Sequence, residues 1–108
     1  MILNKNKKAY FDYEILKEYT AGIILSGGEV RSCRNKSINL KGAYISIKDK
    51  FIILRGASIS RYKFDQTKDY DPLKNRLLLI RAKEIHKIES ELNTSGVSLI
   101  PLQLFTQG

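Results

Sequence analysis

One cysteine, Cys33, and one histidine, His86, are all that this 108-residue chain offers of the side chains that most often bind metals or carry nucleophilic and acid–base chemistry. A lone thiol forms no internal disulfide and no thiolate cluster, and a lone imidazole has no catalytic pair. No catalytic residue, metal site or cofactor is expected. Tryptophan is absent, and the six tyrosines and four phenylalanines are ordinary for a small core. No apolar run approaches the ~20 residues needed to cross a bilayer. Met1-Ile2-Leu3-Asn4 leads at once into lysines, without the apolar stretch of a signal peptide. The expectation is a cytoplasmic protein with no membrane partner.

Acid is scarce where it matters. Between residues 31 and 63, nine basic side chains (Arg31, Arg34, Lys36, Lys41, Lys48, Lys50, Arg55, Arg61 and Lys63) face one carboxylate, Asp49, so this stretch alone carries the net charge of +8. The segments before and after it balance, with four basic and four acidic residues up to Val30 and six of each from Phe64 onward. A basic block in the middle of a folded chain implies a positive surface built by the fold, and nucleic acid is the commonest polyanion to meet one.

At 43% hydrophobic the chain supports one core, and residues 1–108 read as a single domain. Asn4 and Asn6 are candidate caps for an N-terminal turn or short helix. Phe11, Tyr13 and Ile15 alternate with Asp12 and Glu14, which predicts a half-buried strand, and Tyr19 to Leu25 predicts another. After Ser26-Gly27-Gly28, residues Glu29 to Arg34 predict a short helix with its acid and base placed as the helix dipole prefers. Tyr44–Lys48 and Phe51–Arg55, joined by Asp49-Lys50, predict a tight hairpin. A strand is expected within Ala57 to Tyr62, a loop from Lys63 to Pro72, and a strand buried on both faces from Leu77 to Ile80. Ala82 to Asn93 predicts a helix with Ile85, Ile88 and Leu92 on its core stripe and Gly96 as its stop. Val97 to Phe105 returns to β character, with Pro101 arguing for an edge. Six or so short strands and few helices predict a mainly β fold, a small barrel of oligonucleotide-binding type with accessory helices.

Three segments go further: Asn6-Lys7-Lys8-Ala9; Ala21-Gly22-Ile23 running into Gly27-Gly28-Glu29-Val30-Arg31-Ser32-Cys33-Arg34 with Asn39-Leu40 behind; and Asp71-Pro72-Leu73-Lys74-Asn75-Arg76 before Leu77-Leu78-Leu79. In this order and spacing the chain resembles the SsrA-binding protein (small protein B, SmpB) family. The resemblance extends from Asn6 to about Phe105. It implies a non-catalytic barrel that binds the tRNA-like domain of transfer-messenger RNA and helps deliver it to stalled ribosomes in trans-translation. It also implies RNA contacts at Asn6, Lys7, Lys8 and Asn39, at Gly27, Glu29, Arg31, Ser32 and Arg34, and at Lys74 and Arg76. The chain departs from the family pattern at Tyr10 and Phe11, where a basic residue and a histidine are usual, and at Thr20, where an acid is usual. The family pattern continues past Phe105 with a further basic strand and a lysine-rich tail. Their absence from these 108 residues fits a fragment or a reduced, for instance organellar, member. RNA capture without unaided tagging activity is the expectation, with weak dimerisation through an open barrel edge.

The residue chemistry is compatible with that reading. Arg31 and Arg34 are three apart on a helix and share a face, and their planar forks hold phosphate as lysine does not. Gly27 and Gly28 serve either a close RNA approach or a turn. Glu29 is either a helix-dipole carboxylate or part of an RNA-binding network. Lys48, Lys50 and Lys63 read as solvated charge, and Cys33 as a small packed side chain. The alternative function is a ribosome- or tRNA-associated adaptor whose basic face contacts RNA nonspecifically. An enzyme would need a titratable cluster, and only Asp65, Asp69 and Asp71 approach one; these fit turn formation better.

Overall fold

Asp49 and Lys50 carry positive φ values of 52° and 70°, the mirror-image turn whose twist matches that of the strands it joins. In a computed structural model, which describes residues 1–94 and 96–107, this turn connects β4 (Tyr44–Lys48) to β5 (Phe51–Arg55) in the register Tyr44↔Arg55 through Lys48↔Phe51. The remaining elements are β1 (Ile2–Lys5), α1 (Lys7–Asp12), β2 (Gly22–Ile23), α2 (Gly27–Arg34), β3 (Ile38–Asn39), β6 (Ser58–Ile59), β7 (Arg76–Leu79), α3 (Ala82–Leu92) and β8 (Gln103–Phe105).

All strand pairing is antiparallel, in three ladders: β2-β7-β5-β4, β1-β8 and β3-β6. β5 is central and alternates as a strand with one core face does, with Ile52 and Leu54 buried and Phe51 exposed. Leu54 joins a core of Leu3, Cys33, Ile38, Leu40, Ala43, Ala57 and Ile59, against which Ile23, Leu25, Ile45, Leu78 and Leu104 pack. The fold is mainly β with accessory helices, as expected, but among the described residues its strands number eight and are very short.

Several elements differ from the sequence expectation. Phe11 and Asp12 belong to α1, because Asn6 caps that helix by accepting from the Ala9 N–H. Asn4 instead sits in β1 and accepts from the Leu40 N–H. No strand follows at Tyr13 to Ile15. Phe11, Tyr13, Ile15 and Leu16 are all exposed, so the alternation there marks no buried face. The expected strand from Tyr19 to Leu25 shrinks to Gly22–Ile23, and that within Ala57 to Tyr62 to Ser58–Ile59. The strand expected from Leu77 to Ile80, buried on both faces, starts at Arg76 instead. Its most buried residue is that arginine, while Leu79 is exposed. α3 ends at Leu92 with Asn93 as its C-cap, three residues before Gly96, whose φ is +85°. Ile88 is the buried centre of the α3 stripe.

Candidate nucleic-acid interface

The candidate interface is built on α2, and what holds α2 is its own first turn. The Ser26 Oγ accepts from the Glu29 N–H at 3.2 Å while Glu29 Oε1 accepts from the Ser26 N–H at 2.9 Å, a reciprocal capping box. Glu29 is 2% exposed and does more than cap. Its Oε2 receives the Arg76 Nε–H at 2.9 Å, and the Lys74 ammonium lies 3.3 Å from Oε1. Burial pushes the Glu29 carboxyl up, but the Ser26 N–H, the Arg76 guanidinium and Lys74 outweigh it and hold the group below its ordinary 4.5.

Arg76 is equally buried, and every arm of its guanidinium is engaged. Besides Glu29 it donates to the Ala57 carbonyl at 2.9 Å, the Pro72 carbonyl at 3.0 Å and the Tyr70 hydroxyl at 3.1 Å. Tyr70 in turn donates to the Ile59 carbonyl at 2.8 Å. One buried ion pair therefore ties the start of α2 to β7, to the segment after β5 and to the loop between β6 and β7. Cys33, on the inner side of α2, is buried, and burial together with Glu29 pushes its thiol up to about 11.

With its inner side fixed, α2 presents Arg31 and Arg34 to solvent. The Arg31 guanidinium lies 5.7 Å from the centre of the Tyr62 ring. Gly27, Val30, Arg31, Arg34, Asn35 and Tyr62 line an open cleft. Gly27 and Gly28 are the first two residues of the helix, so neither has the positive φ of a turn glycine. What Gly28 provides is closeness: a Cβ there would lie 2.6 Å from Asp65 Oδ2. Asp65 is itself held, since its Oδ1 accepts from both the N–H and the hydroxyl of Thr67, which keep its carboxyl below its ordinary value.

The eleven expected contact residues therefore divide. Arg31, Arg34 and Gly27 share one exposed surface, with Lys74 half exposed beside Tyr70. Lys7 and Lys8 are exposed on α1, where Lys8 pairs with Asp12 at 3.2 Å. Asn39 is exposed and accepts from the Lys41 N–H. The other four are buried in the free chain. Arg76 and Glu29 are spent on each other. Ser32 is buried at 2% exposure. Asn6 is buried too, and besides capping α1 it donates through Nδ2 to the Leu40 and Pro101 carbonyls. Tyr62 and Phe64, given no role above, stand beside the arginine pair, and the interleaved Arg61-Tyr62-Lys63-Phe64 is a signal legible in sequence. Among the described residues no group of three His, Cys, Asp or Glu side chains is placed to hold a metal, and no helix is long and apolar enough to cross a membrane.

Known proteins share this architecture and sequence. The family model described as SmpB protein matches residues 3–108. The SsrA-binding protein of Anaplasma marginale (strain Florida) is 41% identical over 104 residues, covering 96% of this chain and 70% of that protein. The SsrA-binding protein of Bdellovibrio bacteriovorus is 40% identical over 105 residues, covering 97% and 69%. A solved structure described as "tmRNA-SmpB: a journey to the center of the bacterial ribosome" superposes with a TM-score of 0.77 at 31% identity, over 96% of this chain and 73% of its own. With a family match across nearly all of its residues and relatives above 30% identity, the chain belongs to the SmpB family.

Proposed function

We propose that this chain is a non-catalytic RNA-binding domain that takes the tRNA-like domain of transfer-messenger RNA as its ligand and acts with it at stalled ribosomes in trans-translation. Membership of the SmpB family over residues 3–108 carries the reading. The geometry supports it: a helix anchored on its buried side by Glu29 and Arg76 turns an arginine pair outward, at the start of the stretch that holds the net charge. Structured RNA offers phosphates, 2′-hydroxyls and unstacked loop bases, and it is read by cations on a rigid scaffold more than by a base code. The ribosome is the second partner and the cytoplasm the compartment this role requires. The RNA-facing residues are Arg31, Arg34, Lys7, Lys8, Asn39 and Lys74, while Glu29, Arg76, Ser32 and Asn6 hold them in place. β8 pairs only with β1 among the described residues, so weak self-association through its other edge is the expected departure from a monomer.

The test is a gel-shift competition at physiological salt between tRNA-like RNA and unstructured RNA of equal length. A preference of tenfold or more for the tRNA-like RNA is expected. Equal competition would leave the chain a nonspecific RNA contact and favour the adaptor alternative.

A further inference from the structure

Phe64 is a large aromatic ring, 68% exposed, in the loop between β6 and β7, and it belongs to no part of the core. It is nonetheless held in place. The Tyr62 ring meets it edge to face, with centroids 5.5 Å apart and planes at 74°. Arg31 fixes Tyr62 from α2. The loop around the rings is pinned by Arg61 donating to the Asp65 carbonyl and by Thr67 donating twice to the Asp65 carboxylate. Cations surround the pair: Lys63 lies 4.8 Å from the Phe64 ring centre, and Arg31 and Arg34 line the cleft beside Tyr62. The nearest carboxylate, Asp65, is turned toward Thr67 and Gly28.

An exposed ring held among cations, with its nearest acid occupied, matches an unpaired nucleotide: a π-face for the base and positive charge for the phosphates on either side. We propose that Phe64 is a stacking platform for one unpaired base of the bound RNA, with Lys63, Arg31 and Arg34 holding the flanking phosphates. This rests on the RNA-binding reading and deepens it. The flexible Lys63 side chain gives way to the base, which returns more contact area, and its ammonium stays within reach of the neighbouring phosphate. Stacking tolerates any base, so the contact supplies affinity without sequence preference.

The chain has no tryptophan, so Phe64→Trp makes a sole indole reporter at the site itself. Phe64 is exposed, and its variants are expected to melt with wild type. Phe64→Ala is expected to weaken binding of the tRNA-like RNA about tenfold, in line with the roughly 1–3 kcal/mol each stacked base contributes. Phe64→Leu, which keeps apolar bulk and removes the π-face, is expected to fall well short of wild type. Phe64→Trp is expected to bind as wild type with its fluorescence quenched by the tRNA-like RNA, and not by a blunt duplex without unpaired bases. Wild-type affinity for Phe64→Ala, full rescue by leucine, or an unquenched indole would each overturn the stacking claim. If Phe64→Ala is neutral while Arg31→Ala with Arg34→Ala is not, stacking fails and the RNA reading stands. If wild type shows no preference for tRNA-like RNA yet quenching occurs on unstructured RNA, the proposed ligand fails and the platform stands.

Discussion

Replacing Glu29 by glutamine keeps the shape of the side chain and removes one charge from a site that solvent barely reaches. Its partner Arg76 is 2% exposed, so the guanidinium of the variant remains buried and charged with no anion beside it. Breaking one partner of a buried pair typically costs about 3–5 kcal/mol. Arg76 keeps its bonds to the Ala57 and Pro72 carbonyls, which places this case near the lower figure, while the one glutamine oxygen serves either Ser26 or Arg76 and turns an N–H toward the other. At about 4–8 °C per kcal/mol for a domain of this size, the melting temperature is expected to fall by roughly 12–24 °C. Replacing both residues together by methionine removes the orphaned charge, so Glu29→Met/Arg76→Met is expected to melt above Arg76→Met and Glu29→Met each alone. The pH dependence has a definite sign. The Glu29 carboxyl lies below its unfolded value near 4.5, so its contribution is complete above that pH and is lost as pH falls below it. Melting of wild type between pH 7 and pH 3 is therefore expected to drop more steeply than that of Glu29→Gln, whose amide does not titrate. Thermal unfolding followed by circular dichroism reads both effects. A Glu29→Gln melting temperature within about 3 °C of wild type would refute the assignment of the pair as the anchor of α2.

Arg31→Ala with Arg34→Ala is expected to weaken RNA binding and to flatten its dependence on salt by about 0.7 to 0.9 in log–log slope for each phosphate contact removed; titrations at three salt concentrations measure it. Lys48→Ala and Lys50→Ala, at the exposed tip of the hairpin, are expected to change affinity by less than about 1 kcal/mol, and a loss matching the arginine pair would move the binding face to that hairpin. Asn6→Ala removes a helix cap and two bonds to buried or half-buried carbonyls, so it is expected to cost about 1–3 kcal/mol in urea unfolding.

The sequence rendered some elements well, and the reasons are local. The hairpin, α2 and α3 each depend on residues within a few positions of one another: a two-residue turn, a Ser26-to-Glu29 cap, an apolar stripe. The stretch from Phe11 to Ile15 was misread because alternation signals a strand only when one parity is buried, and tertiary packing decides that. The buried part of the candidate site was hidden for a related reason. A formal charge in a sequence carries no direction, so nothing in it pairs Arg76 with Glu29, 47 residues away, although Glu29 could be read as a network member. A clue was available in the strand itself. Arg76 stands opposite Leu54, whose core position follows from the alternation of β5. Tyr62 and Phe64 escaped notice because a loop lacks the periodicity by which core and surface are told apart.

The empty space at Gly28 has a kinetic meaning. Asp65 closes over the start of α2 where any side chain would stand in its way, and so the loop bearing Tyr62 and Phe64 is seated before any ligand arrives. A partner that meets a loop already seated does not have to immobilise it, and savings of that kind lengthen the life of a complex far more than they speed its formation. Gly28→Ala is then a mutation of residence time: the association rate should hardly notice it, and the dissociation rate should rise.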